Sequence, residues 1–249
     1  MEKNMDQFPV QNQPRRNSIM EPPFLSTEDT SLRAIILGSS DHQQFSLTES
    51  ILQSAVFDGA DPHTMLTTKT SGSLFGRNVT LVNTPNLDNY KFKEELKKAV
   101  RFSCPGPHAV LFTVNPLDMP PNAYEIFKPV VEYFGEQILD NTMIVLYHEE
   151  EQWRQSLEDK VMKNRDFREL LDQCHRRCLV FNGRGKESSM AKELLDKIDE
   201  MVAKHGVFSN LEYKDVAQQF THQEIIVENQ EKEGGRCSAR GTGEEAFSG

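Results

Sequence analysis

The chain has 249 residues, and 38 acidic side chains against 28 basic ones leave it a formal charge of -10. That balance argues against nucleic acid and anionic lipid as partners, since both call for a positive excess. No run approaches the roughly 20 apolar residues of a membrane span, the start of the chain lacks a signal-peptide pattern, and the 4 cysteines are scattered as in a reducing compartment, so a cytoplasmic protein of one ordinary domain with tails is expected.

Residues 1–30 are polar, proline-punctuated and aperiodic, which predicts a disordered tail. Within them Arg15-Arg16-Asn17-Ser18 resembles a basophilic kinase site. The first apolar run, Arg33–Leu37, predicts a strand, and a helical pattern follows over Leu47–Gln53. The stretch between them, within IILGSSDHQQFSLTESIL, lies where a strand–loop–helix layout carries the phosphate loop G-x-x-x-x-G-K-[ST]. Its eight positions here read Gly38, Ser39, Ser40, Asp41, His42, Gln43, Gln44 and Phe45.

Further strands are predicted over Val79–Val82, Ala109–Val114, Met143–Tyr147 and Leu179–Phe181, and helices over Phe92–Phe102, Ala123–Phe134, Asp166–His175 and Met190–Lys204. Gly135 and Gly206 sit just past two of these helices, where a left-handed cap is wanted. Strands alternating with helices imply a mostly parallel sheet covered on both faces. Ligands of such sheets bind at the carboxyl ends of the strands, which here carry Gly38, Asn83, Asn115, His148 and Asn182. Cys174, His175 and Cys178 lack a second ligand pair at zinc spacing, so no metal is expected. Residues 229–249 read as another solvated tail.

SCPGPHAVLFTVNP, residues 103–116, followed by VVEYFGE at 130–136, resembles the signature box of the immunity-associated nucleotide-binding GTPases, the AIG or IMAP family. The resemblance runs from about Leu32 to Phe208. It implies an α/β fold: a Ras-like P-loop G domain, with a mostly parallel sheet, helices on both faces and a helical insertion. The G domain is expected over 31–210, between the tail 1–30 and a largely disordered C-terminal extension, 211–249.

The family binds guanine nucleotide through short motifs, and each falls on residues that differ here. With register set by Gly38 and by Ser50-Ile51-Leu52, the phosphate-binding lysine position is Gln44 and the magnesium-binding serine position is Phe45. Losing a charge-assisted hydrogen bond costs about 1.5–3 kcal/mol, and phenylalanine offers no oxygen to Mg2+. Ser46 is no replacement, because one residue along a helix turns its side chain by about 100°. Inner glycines are replaced by Asp41, whose carboxylate repels phosphate, and by Gln43, whose β-carbon opposes positive φ.

The magnesium-orienting aspartate of Asp-Thr-Pro-Gly is Asn83, followed by Thr84, Pro85 and Asn86; the last replaces a glycine whose amide meets the γ-phosphate in the family. In TTKTSG, residues 67–72, Thr68 matches the switch threonine that binds magnesium. In the base-recognition segments His148 replaces a threonine, Glu151 falls near the aspartate, and Asn182 matches an asparagine that contacts guanine.

Two readings follow. The first is a pseudo-GTPase, a binding or scaffold module with weak or absent GTP or GDP binding, no Mg2+, no catalytic residue and no efficient hydrolysis. The alternative is a residual GTP-binding protein with a non-canonical phosphate loop, holding the base through Asn182 and Glu149–Glu151. The family resemblance suggests as partners other G-domain proteins of the family or a second copy of this chain, in an immune setting.

Overall fold

The computed structural model describes residues 31–53, 66–120, 122–149, 161–184 and 188–218. Residues 1–30, with Ser18, and residues 219–249 lie outside the described residues, as do Glu150 and Glu151.

The apolar runs supply β1 (Leu32–Gly38), β3 (Arg77–Asn83), β4 (Ala109–Val114), β5 (Thr142–His148) and β6 (Cys178–Asn182). They join β2 (Thr68–Leu74) in a six-stranded sheet of order β2-β3-β1-β4-β5-β6. β1 pairs in parallel with β3 and β4, and β5 in parallel with β4 and β6. β2 alone is antiparallel, a hairpin partner of β3 at the sheet edge. Sequence reasoning read 67–72 as a switch segment and missed this strand. Its TKTSGSL offers neither an apolar run nor clean alternation, because one side of an edge strand faces solvent.

Helices that flank the sheet among the described residues include α1 (Asp41–Leu52), α2 (Phe92–Ser103), α3 (Ala123–Phe134), α4 (Arg165–Gln173) and α5 (Ser188–His205). Alternation along β1 splits the core. Ala34 and Ile36 face Leu47 and Ile51 of α1 and Leu194, Ile198 and Met201 of α5. Ile35 and Leu37 face the other way, towards Leu96 of α2, Phe127 and Val130 of α3 and Phe167 and Leu170 of α4. Each of these side chains larger than alanine contributes roughly 1.5–3 kcal/mol on burial, so the sheet is held from both faces. Gly135 and Gly206 adopt φ of 88° and 79°, and their amides close on Val131 and Val202 as expected of C-caps.

The box Ser103–His108 lies at the start of β4, the end of the sheet remote from the loop after β1. His108 is buried and structural: its Nδ1 accepts from the Arg33 amide at 3.0 Å, and its own amide donates to Arg33 O at 2.8 Å. The box also seats the chain that follows α5. Phe208 N donates to Pro107 O at 3.0 Å, and a β-carbon on Gly106 would lie 1.9 Å from Phe208 O. Residues 211–218 are helical. From them Tyr213 enters the core fully buried, its hydroxyl 2.8 Å from Ser103 Oγ and its ring stacked on Phe134. Packed structure therefore continues beyond residue 210.

Candidate functional site at the carboxyl ends of the strands

Strand register, antiparallel for Thr68 and parallel for the rest, sets the candidate residues in one row. Thr68 pairs with Asn83, Asn83 with Ile36, Gly38 with Thr113, and His148 with Asn182. Gly38 is required where it stands, because a β-carbon would meet Thr113 Oγ1 at 2.1 Å. That hydroxyl is committed to Leu37 O, to which it donates at 3.0 Å.

The segment after Gly38 departs from expectation. The helix was expected from Leu47, after an open loop, but α1 starts at Asp41. Only Ser39 and Ser40 separate it from β1, with Ser40 extended at φ -141°. Asp41, His42, Gln43 and Gln44 form its first turn. The four positive-φ residues other than glycine are Gln53, Phe75, His175 and Arg176 among the described residues, so neither Asp41 nor Gln43 bears the strain anticipated for a glycine-rich loop. With Asp41 and Gln43 in a helical turn, neither position calls for a glycine. Early helix entry suits Asp41 itself, since a carboxylate in the first turn is favoured by the helix dipole.

Starting the helix early sets the direction of every side chain on it. Gln44 points inward and is fully buried. One terminal atom of its amide lies 3.2 Å from Ile36 O and 2.7 Å from Thr84 O, and the other lies 3.2 Å from Gly38 N. Two acceptors against one end and a donor against the other assign nitrogen to the first and oxygen to the second. Gln44 thus satisfies backbone groups at the ends of β1 and β3 from within. Phe45 is also buried, His42 is exposed, and Ser46 is half-buried. Gln43 is half-buried, its Oε1 without a partner among the described residues.

Asn83 is likewise engaged. Its Nδ2 donates to Thr48 Oγ1 at 2.9 Å, and that hydroxyl lies 3.1 Å from Asn83 Oδ1 and 3.0 Å from Gln44 O. Sequence reasoning missed Thr48. Once α1 starts at Asp41, its place one turn after Gln44 identifies it. Asp41 reaches the next segment, its Oδ1 accepting from the Asn86 amide at 2.8 Å. Pro85 lies between that amide and Thr84, whose own amide donates to Ile36 O at 3.2 Å. Thr68 Oγ1 has no partner among the described residues. The neighbouring Thr67 anchors the segment, its amide donating to Glu95 Oε2 of α2 at 2.6 Å.

At the far side of the row His148 is buried, and its carbonyl accepts from Gly183 N at 2.8 Å. Asn182 makes a turn, its Oδ1 accepting from Arg184 N at 3.0 Å. Tyr147 passes so close to Gly183 that a β-carbon there would sit 1.9 Å from its hydroxyl, which donates to Glu149 at 2.9 Å. Burial pushes that phenol up to about 12; Ser50 opposes the rise and Glu149 adds to it. In the row Gln44 meets Gly38 directly, Thr48 joins Asn83 to Gln44, and Asp41 takes the Asn86 amide, whereas Asn182 and His148 form a separate end of it. No group of His, Cys, Asp and Glu suited to a metal ion exists among the described residues.

Comparison with known proteins follows the fold. A model of the AIG1 family matches residues 32–231. GTPase IMAP family member 8 of Homo sapiens is 29% identical over 136 residues, covering 52% of this chain and 20% of the relative. The protein of the same description from Rattus norvegicus is 25% identical over 202 residues, covering 75% of this chain and 29% of the relative. The chain thus spans less than a third of the length of these relatives. Among solved structures, a dimerisation-deficient mutant of Toc33 from Arabidopsis thaliana aligns with a TM-score of 0.59 at 12% identity, over 73% of this chain and 88% of that one. Toc33 in complex with Mg2+ and GMPPNP aligns with a TM-score of 0.57 at 13% identity, over 72% and 87%. At these identities the likeness is one of fold: a Ras-like P-loop α/β domain.

Proposed function

Because this chain belongs to the AIG1 family, we propose that it is a G-domain protein working as a pseudo-GTPase, a binding or scaffold module with weak or absent GTP binding and no efficient hydrolysis. The observation that carries this reading is Gln44. At the lysine position stands a fully buried amide, bonded to the backbone at three points, in a helix that begins within the loop. A phosphate entering here would have to unwind that turn, break those bonds and approach the Asp41 carboxylate. At 4 Å two unit charges of one sign repel by about 4 kcal/mol at an effective dielectric of 20. Hydrolysis would further need charge stabilisation on the transferred phosphoryl group. Gln44, Phe45 and Asn83 offer neither a cation nor a carboxylate for Mg2+.

Calorimetry of the purified chain with GTP and GDP, with and without Mg2+, tests the reading. We expect no heat and no thermal shift from a cooperatively folded sample. Tight binding would overturn it. The second reading, a residual GTP-binding protein, is favoured by Asn182 at the end of β6 and by the nucleotide in the Toc33 complex. Nucleotide affinity unchanged by Asn182→Ala would sink that version.

The partners we propose are family relatives or a second copy of this chain, engaged through the face at the strand ends. Dimerisation is a property of Toc33, for which it matters to GTPase activity. We place the G domain from residue 31 through the helix that carries Tyr213, past the expected boundary at 210, and the protein in the cytoplasm. No described helix is long and apolar enough to cross a membrane.

A further inference from the structure

The loop between β3 and α2 is held at its base by backbone bonds, Thr84 N to Ile36 O at 3.2 Å and Leu87 N to Gly38 O at 3.1 Å. Between them the amide of Asn86 points at the start of α1. An acceptor meets it there: Oδ1 of Asp41, at 2.8 Å. The bond joins residues 45 apart in sequence and is partly buried. A charged acceptor makes such a bond roughly twice as strong as a neutral pair. Beyond it the chain winds through Asn89 N to Asn86 O at 3.0 Å and Phe92 N to Asn89 O at 2.9 Å into α2, and leaves Tyr90 81% exposed at the crest.

We propose that the Asp41 carboxylate is a built-in substitute for an anionic ligand, occupying the Asn86 amide and fixing the 84–91 loop in one conformation that needs no nucleotide. The inference deepens the reading of the site given above and rests on it. A loop whose anion is covalently part of the protein cannot be released by hydrolysis or exchange, so its surface is set permanently. Carboxylate and phosphate also exclude one another: the same amide cannot serve both, and their charges repel.

The test is residue-resolved amide exchange by NMR on the full chain. In the wild type without nucleotide, the Asn86 amide should exchange slowly and stay unchanged on adding GTP and Mg2+. Asp41→Ser suits a helix's first turn but is too short to reach Asn86. It should accelerate Asn86 exchange by about tenfold or more, as loss of a charged hydrogen bond requires, while amides of β1 and β4 keep their rates. Unprotected Asn86 in the wild type, or an unaltered rate in the variant, would overturn the clamp.

Should the variant lose protection throughout, an acid titration of the wild type decides. The Asn86 amide proton must shift together with the Asp41 carboxyl carbon, and independent titration refutes the contact. Calorimetry on the same sample separates the two claims. GTP heat with a slow, unchanged Asn86 amide would sink the non-binding reading and uphold the clamp. Fast Asn86 exchange without heat would sink the clamp alone.

Discussion

Gln44→Met is the sharpest single perturbation of the candidate site. Methionine follows the same unbranched path and fills nearly the same volume, so packing is retained while every polar contact of the amide is lost. Of the three backbone groups that Gln44 satisfies, Ile36 O keeps the Thr84 amide at 3.2 Å. Gly38 N and Thr84 O would be left buried and unpaired. An orphaned buried group costs about 1–3 kcal/mol, so the variant should lose about 2–6 kcal/mol in sum. Against a typical total of about 5–15 kcal/mol that is a large share.

Urea unfolding read by circular dichroism measures it, the midpoint falling at unchanged slope. Gln44→Glu sharpens the result, because its carboxylate would face two carbonyl oxygens in a buried site and its folded pKa would rise. Stability from that group is then present below the unfolded carboxylate pKa and lost as pH rises through the folded one. A Gln44→Met variant within about 0.5 kcal/mol of wild type, the spread of surface substitutions, would refute the view that this amide holds the loop closed.

Burial raises the Glu95 carboxyl, but hydrogen bonds from Lys98 and Thr67 outweigh it and leave the pKa below its ordinary 4.5. Glu95→Gln should therefore destabilise by on the order of 1 kcal/mol at pH 7, with the gap to wild type closing as pH falls below 4.5 through the folded pKa, as paired acid-unfolding curves would show. Gly106→Ala forces a β-carbon to 1.9 Å from Phe208 O. A loss of about 1–3 kcal/mol or more is expected, with faster proteolysis after His205 as the readout. Tyr213→Phe removes only the bond to Ser103 and should cost about 1 kcal/mol in chemical denaturation. Burial pushes the Cys174 thiol up to about 12, so native alkylation at pH 8 should modify it far more slowly than in the urea-unfolded chain.

Central strands and amphipathic helices were legible because burial on both faces demands uninterrupted apolar runs, and helices on the sheet demand one apolar stripe. Ala123–Phe134 was read to the residue, and Gly135 and Gly206 carried their own conformational reason. β2 was hidden because its partner β3 supplies the apolar half of the hairpin. The residues of the strand-end row were also legible, since parallel topology dictates where they emerge. The sequence reading placed Gln44 and Asn83 where the resemblance implies charged residues. Their new partners depended on the first residue of α1. With side chains advancing about 100° per residue, a helix start displaced from Leu47 to Asp41 turns four loop positions into a helical turn. The contacts Asp41 to Asn86 and Thr48 to Asn83 join distant segments and have no local signal at all.

The seat made by Ser103–His108 has a consequence for what a sequence signature reports. β1 and β4 are parallel neighbours, and the box grips their entry ends while the loop with Gln44 leaves from the exit end of β1. Between the two lies the length of a strand packed on both sides. Substitutions at the exit therefore leave the entry untouched, and the box stays recognisable whatever happens to the phosphate chemistry. The signature box sits at one pole of the domain and the candidate site at the other. The box fastens the chain after α5 and takes no part in the candidate site.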